Sequence, residues 1–272
     1  MLTKLVDNIK EITQLAEMKK IESQLDSYIA KGQFFIVLQP KFDTMTEKVV
    51  GAEALIRKKE NDRIIYPDEF LPIYEETGLI TKLDMFVLEE VCKLQKSWKQ
   101  RNFSILPISI NESRHHLKNP NHIKELKAIL EKYQADSHYI ELEMTEQTVA
   151  EDLKKSKLAE EHAHELGFVI SMDDFGSGYS AFNILKDIPI DILKIDKLFF
   201  SNLLSNRRAM IIVEAIVEMC KKLHIKTVAE GIETKEQVDF LKQIHCDMIQ
   251  GYYFEKPIAV SRFEGKYLKN EN

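Results

Sequence analysis

From Gly32 onward the chain alternates short apolar runs with longer helical patterns, and this alternation narrows the possible folds more than any other feature. The runs FFIVLQ, VVGAEALI, ILPISIN, YIELE, FVISMDD, DILKI, KTVAE and DMIQ predict eight strands. Between them, residues 81–100, 121–134, 146–165, 203–224 and 234–244 carry helical spacing. Eight strands alternating with helices predict a (β/α)8-type barrel, and 272 residues suit a fold that typically runs to about 250. A doubly wound open sheet gives the same alternation, so periodicity alone leaves both open. Ahead of this region, residues 1–31 read as one amphipathic helix. Leu2, Leu5, Ile9, Ile12, Leu15, Met18, Ile21, Leu25 and Ile29 recur every three or four positions, and Gly32 stops it. Such a helix either packs on the main domain or serves as a signalling or dimerising element. Gly and Pro are sparse and no low-complexity linker divides the chain, so the expected organisation is a helix or linker over 1–32 and one domain over 33–268.

The strands share a second property. Nearly all end in a side chain able to bind metal or move a proton: Asn111, Glu143, the pair Asp173 and Asp174, Lys194, Glu230 and Gln250. Glu53 lies within the second run. In a barrel the C-terminal ends of the strands converge on one face, so residues scattered over about two hundred positions can meet there. So many carboxylates repel one another without counter-ions. The donors are all oxygens, with no His or Cys, which favours Mg²⁺ or Mn²⁺ over Zn²⁺.

Adjacent aspartates narrow this further. Neighbouring side chains on a strand point to opposite faces, so Asp173 and Asp174 reach one site only where the strand ends and turns. Gly176 and Gly178 permit that turn. One Asp can then bridge two cations, and two cations about 3.5–4 Å apart clamp the attacking and leaving oxygens of a phosphoester. Lys194 could orient the attacking water. Glu143 and Glu146, like Glu230 and Glu233, are three apart and can share a face where a strand passes into a helix. The eight histidines read as ordinary surface or boundary residues: His162 and His164 share no helical face, His115 and His116 fall in a loop-like segment, and no HExxH occurs.

The net charge of −6 and pI near 5.8 argue against a duplex nucleic-acid binder. Cys92, Cys220 and Cys246 are odd in number and far apart, as expected of a reduced cytoplasmic protein. The first twenty residues contain no unbroken apolar run, which argues against a signal peptide, and no stretch reaches the roughly 18 apolar residues of a membrane span.

GAEALIR at 51–57 resembles the signature of the EAL phosphodiesterases, a family specific for cyclic di-GMP. The likeness extends through LQP at 38–40, DEFLPIYEETGLI at 68–80, SIN at 109–111, ELEMTE at 141–146 and DDFGSGYS at 173–180. It continues with ILKID at 192–196, VAEGIET at 228–234 and QGYYFEKP at 250–257, so that it covers roughly residues 33 to 258.

This resemblance implies a modified TIM barrel with one antiparallel strand, and hydrolysis of cyclic di-GMP to linear pGpG with Mg²⁺ or Mn²⁺, Ca²⁺ being inhibitory. Carried over by position, Glu53, Asn111, Glu143 and Asp173 hold one metal. Asp173 and Asp174 hold the other, with Glu230 binding directly or through water. Lys194 contacts the nucleophilic water, Gln250 positions a metal or water, and Glu233 supports the shell. Glu146 braces the loop after DDFG. Gln39 lies beside a guanine, Leu55 belongs to the substrate-binding signature, and Arg57 contacts a phosphate. A homodimer formed through the DDFG-side loop, and an upstream sensor, cyclase or partner protein, are further family expectations.

The sequence departs from the family at Lys58, where Trp is common, at Glu112 and Ser113, where NLS is common, and at Ser177, where Thr is common. None of these removes a matched ligand. Receptors that bind cyclic di-GMP without turnover usually lack one of the acids, and none is missing here. A purely structural partner would leave the acid cluster without a purpose.

Overall fold

The computed structural model describes residues 2–176, 181–201 and 203–268. Helix α1 spans Leu2–Ala30. It ends at Gly32, whose φ of 65° lies in the left-handed region that glycine adopts without strain. Strand β1 (Phe34–Asp43) then pairs antiparallel with β2 (Val49–Glu60), in a register that sets Phe34 opposite Lys58 and Gln39 opposite Glu53. The turn between them is closed by Asp43, whose carboxylate accepts the Thr46 backbone N–H at 2.7 Å.

The short strand β3 (Arg63–Ile65) pairs with β2 away from the ring that follows. Strands β4 (Ile108–Asn111), β5 (Ile140–Thr145), β6 (Val169–Phe175), β7 (Ile192–Ile195), β8 (Lys226–Ala229) and β9 (Met248–Ile249) then continue from β2, each parallel to the one before. Finally β9 pairs antiparallel with β1, Phe42 against Ile249, and this closes the ring. Closure decides between the two architectures that periodicity allows: the fold is an eight-stranded barrel, and β1 is its one reversed strand. All eight apolar runs fall on ring strands. A further strand, β10 (Ile258–Ala259), pairs antiparallel with Val37 and Leu38 of β1, ahead of the stretch that pairs with β9.

Helices cover the outside: α2 (Pro67–Thr77), α3 (Ile80–Gln100), α4 (His122–Tyr133), α5 (Glu146–Glu151), α6 (Leu153–Glu165), α7 (Ala181–Asp187), α8 (Arg207–Lys222), α9 (Lys235–Gln243) and α10 (Val260–Phe263). Two predicted helical stretches prove shorter or divided. Residues 146–165 split at Asp152, whose carboxylate accepts the Lys155 N–H and caps α6. Residues 203–224 begin as a 3-10 turn, and Asn206 caps α8 by accepting the N–H groups of Arg208 and Ala209. The helical reading misses α2, which carries Pro72 inside it, where the ring removes a backbone donor.

The main core fills the space between ring and helices, with Trp98, Ile108, Ile140, Leu193, Val217 and Ile249 fully covered. A second cluster belongs to the C-terminal part of α1: Leu25, wholly buried, packs with Phe34, Phe70, Tyr74, Ile80 and Leu83. Lys82 adds ion pairs to Glu22 and Asp26 at 2.8 and 2.9 Å. This part of the helix is therefore docked on β1, α2 and α3. The side chains of residues 2–15, among them Leu2, Leu5, Ile9, Ile12 and Leu15, lie outside the described ones. No helix among the described residues is long and apolar enough to cross a membrane.

Docking through Leu25 has a measurable consequence. Leu25→Ala should lower unfolding free energy by about 2–5 kcal/mol, the range for emptying a buried leucine site, read as a lower urea midpoint with unchanged slope. A shift within error would mean that this contact does not hold the helix to the barrel.

Candidate active site

Parallel registry sets the geometry. Glu53 stands level with Ser109, Asn111 with Glu143, and Thr145 with Asp173, so the polar strand ends assemble at one mouth of the ring. At the centre lies Lys194 on β7, with none of its surface exposed. Its ammonium is 2.9 Å from Glu143 Oε2, 2.9 Å from Glu230 Oε1, 3.1 Å from Asp173 Oδ2 and 3.7 Å from Glu53 Oε2. Glu53 accepts two hydrogen bonds, from Asn111 Nδ2 at 3.2 Å and from Gln250 Nε2 at 2.6 Å. Seven residues, from five strands and the segments following β8 and β9, are thus joined directly.

Strand β6 supplies the turn that the aspartate pair requires. Pairing with β7 shifts register between Met172 and Phe175, and Asp174 takes a left-handed φ of 56°. Its backbone N–H donates to Asp173 Oδ1 at 2.8 Å. Gly176 follows with φ 93°, and a Cβ there would stand 2.4 Å from the Phe199 ring, so only glycine fits. The Gly176 N–H donates to Glu146 Oε2 at 3.0 Å, which ties the segment after β6 to the start of α5. Thr145 caps that helix by accepting the Thr148 N–H. Gly178 and Ser177 lie outside the described residues.

Charge is unevenly balanced here. Burial raises the Glu143 carboxyl, but Lys194 and Lys41 outweigh it and hold its pKa at about 2. Glu230 is equally close to Lys194, yet burial, Asp173 and Glu53 push it to about 8, because it has only one cationic neighbour. Burial, Asp173 and Asp196 push Asp174 to about 6. Burial also raises Glu53.

The sequence reading misses three contributors. Lys41 on β1 is 2% exposed and pairs with Glu141 at 2.9 Å and Glu143 at 3.1 Å. Glu141 on β5 is equally enclosed. Asp196 follows β7, faces Asp174 electrostatically, and accepts the Leu198 N–H. A lysine flanked by the buried runs of β1 is the signal that could have exposed the first.

Other residues expected at the site sit around it. Leu55 lines a cleft of about 560 Å³ that starts at Glu53 and Asn111 and runs along α2 and α3. Gln39 stands beside Glu53 across the β1–β2 pair. The Arg57 guanidinium lies 5.2 Å from the Tyr66 ring centre and donates to the Ile56 carbonyl. Glu233 is exposed, and its backbone N–H donates to Gln237 ahead of α9, so it is not enclosed with the acids. Lys58 reaches back to α1, its ammonium 4.1 Å from the centre of the Tyr28 ring. Glu112 turns to His122 instead of the acid cluster. The histidine reading needs correcting in consequence: His116 and His122 are 4% and 6% exposed, stacked on each other with carboxylate partners, so spacing along the chain concealed a contact made by folding.

The model of the EAL domain matches residues 22–257. The signaling protein YkoW of Bacillus subtilis is 36% identical over 89% of this chain and 30% of its own length. The cyclic di-GMP phosphodiesterase NbdA of Pseudomonas aeruginosa is 32% identical over 90% of this chain and 31% of its own. The chain thus spans about a third of the length of these relatives. A solved structure described as the PaMucR phosphodiesterase in complex with c-di-GMP superposes with a TM-score of 0.83 at 31% identity, covering 90% of this chain and 99% of that one. With its barrel closed by a reversed first strand and its acids gathered at the mouth, the chain belongs to the EAL domain family.

Proposed function

We propose that this chain hydrolyses cyclic di-GMP to linear pGpG with Mg²⁺ or Mn²⁺. The observation that carries the reading is the enclosed acid cluster around Lys194. Among the described residues Glu53, Glu141, Glu143, Asp173, Asp174 and Glu230 face only two ammonium groups, Lys41 and Lys194. Two divalent cations would offset the remaining negative charge. The Gln250 Oε1 atom, buried beside Glu53 without a hydrogen-bond partner, is a further oxygen available to them. An oxygen-only donor set suits hard cations.

In this reading Glu53, Asn111, Glu143 and Asp173 hold one cation, and Asp173, Asp174 and Glu230 hold the other, with Glu233 supporting from outside. Bound divalent cations supply Lewis acidity to a phosphoester and to the water that attacks it. The product carries a 5′-phosphate, so the bond broken is that between phosphorus and the 3′-oxygen. Lys194 donates its N–H groups to carboxylates; were those carboxylates engaged by cations, its ammonium would be placed to orient the attacking water. Gln250 holds Glu53 in place, and Glu146 fixes the turn that presents Asp173 and Asp174. Leu55 and Gln39 would meet a guanine near the cleft, and Arg57 a phosphate, because a guanidinium matches two phosphate oxygens at once. A cytoplasmic homodimer coupled through α1 to a sensor, cyclase or partner protein is the setting that this reading implies.

Purified protein incubated with cyclic di-GMP should yield pGpG by chromatography with Mg²⁺ or Mn²⁺. It should yield none after chelation and little in Ca²⁺, whose larger, looser coordination fits a paired site poorly. Folded, metal-supplied protein that binds the nucleotide but gives no product would make it a receptor.

Asp174→Asn keeps size and one oxygen while removing a charge. It should slow hydrolysis by roughly a thousandfold or more with nucleotide binding by calorimetry retained; near-normal turnover would remove Asp174 from the metal site. Arg57→Ala should weaken binding measured in Ca²⁺ by the equivalent of about 1.5–3 kcal/mol, the worth of a charged hydrogen-bonding partner, and unchanged affinity would end the phosphate assignment.

A further inference from the structure

A second group of ligand-type side chains lies outside the acid cluster, behind the end of β4. Glu112 follows Asn111 directly. The chain then makes a 3-10 turn over Arg114–Lys118, which carries His116 inward, and α4 begins with His122. The two imidazoles stack with ring centres 4.0 Å apart. One nitrogen from each and one Glu112 oxygen lie within 4.8 Å of one another.

Several features set this group apart from an ordinary hydrogen-bonded pair. The Nδ1 atoms of His116 and His122 are buried and have no partner. Glu160 on α6, only 2% exposed, lines the same cavity as Glu112, His116 and His122, and neither of its carboxylate oxygens has a hydrogen-bond partner. Buried imidazole nitrogens and carboxylate oxygens left without partners are rare in folded proteins, because each forfeits its hydration. The cavity holds about 20 Å³, room for one water-sized occupant. Outside it, Asp84 on α3 meets His116 Nε2 at 3.0 Å. A carboxylate on the far nitrogen of a ligating histidine is the usual outer support of a metal site, fixing the tautomer and orienting the ring.

We propose that Glu112, His116 and His122 bind a divalent transition ion of the Zn²⁺ class, with Glu160 as a further oxygen donor and Asp84 as outer support. Mixed nitrogen and oxygen donors select a borderline ion, whereas the acid cluster at the barrel mouth offers hard oxygens. Bonds of about 2.0–2.2 Å to such an ion require the direct Glu112–His122 contact to open and the remaining donors to draw in around it. The ion would pin α4, α6 and the segment immediately after Asn111 to one point.

The test reads binding directly and needs no turnover, so its outcome is independent of whether the chain hydrolyses cyclic di-GMP. Full-length protein is saturated with Mg²⁺, given one equivalent of Zn²⁺, and studied by zinc X-ray absorption and by competition with a chromophoric chelator. The expected result is an imidazole-containing zinc shell in the parent. His122→Ala and His116→Gln, each verified as folded by circular dichroism, should weaken Zn²⁺ binding by at least the ~10–100-fold that losing even an outer partner costs, with Mn²⁺ binding at the mouth unchanged. An oxygen-only zinc shell in the parent, or zinc affinity unaltered in both variants, would overturn the proposal. Should neither variant fold, the parent spectrum decides alone: a shell with two imidazoles supports the site, and one without them refutes it.

Discussion

Everything at the mouth of this barrel depends on keeping one ammonium group dry. Lys194 gives up its hydration entirely, and its partners must replace it. Glu143, Asp173 and Glu230 do so at hydrogen-bonding distance, and their attraction outweighs burial so far that the lysine stays charged. The dependence is mutual. Without that cation the same carboxylates would repel one another in a poorly solvated space, and the strand ends carrying them would splay. One buried ammonium group therefore both gathers the acids and constrains the fold, joining residues that lie far apart in sequence.

A second lysine extends this logic inward. Lys41 lies on the only reversed strand of the ring and shares Glu143 with Lys194, while Glu141 accompanies it. The barrel interior is usually filled by apolar layers, but here two cations and their acids occupy part of it. Such a polar interior tolerates no missing partner, since a buried charge left alone is far more costly than a pair. The lysine on β1 also ties the reversed strand to β5 across the interior, a link that backbone pairing does not supply.

Much of this was legible in the linear sequence. The eight apolar runs mark the eight ring strands because strands covered by helices read as continuous hydrophobic stretches. The acids at their ends stand out because ionisable groups are unusual beside such runs. Barrel closure was not legible, since pairing between β1 and β9 is a property of curvature and leaves no local pattern. Lys41 and Glu141 were hidden for a related reason: within a strand, one residue faces the interior and the next the helices, and the pattern does not say which. His116 and His122 are six apart, in a turn and a helix, so only tertiary folding stacks them. Glu233, three residues after Glu230, stands exposed ahead of α9 and outside the enclosed acids, a placement that spacing along the chain does not show.

Reversal of β1 also determines where α1 meets the barrel. In a barrel whose first strand is parallel to the rest, a preceding helix approaches the floor, far from the chemistry. Here Phe34 stands beside Lys58, near the end of β2 from which the chain leaves, so α1 meets the barrel on the rim that carries the acids. Tyr28 rests against Lys58, and the neighbouring residue is Arg57. The helix and the acid-bearing rim are thus near neighbours, with one aromatic ring and one peptide unit between Tyr28 and Arg57.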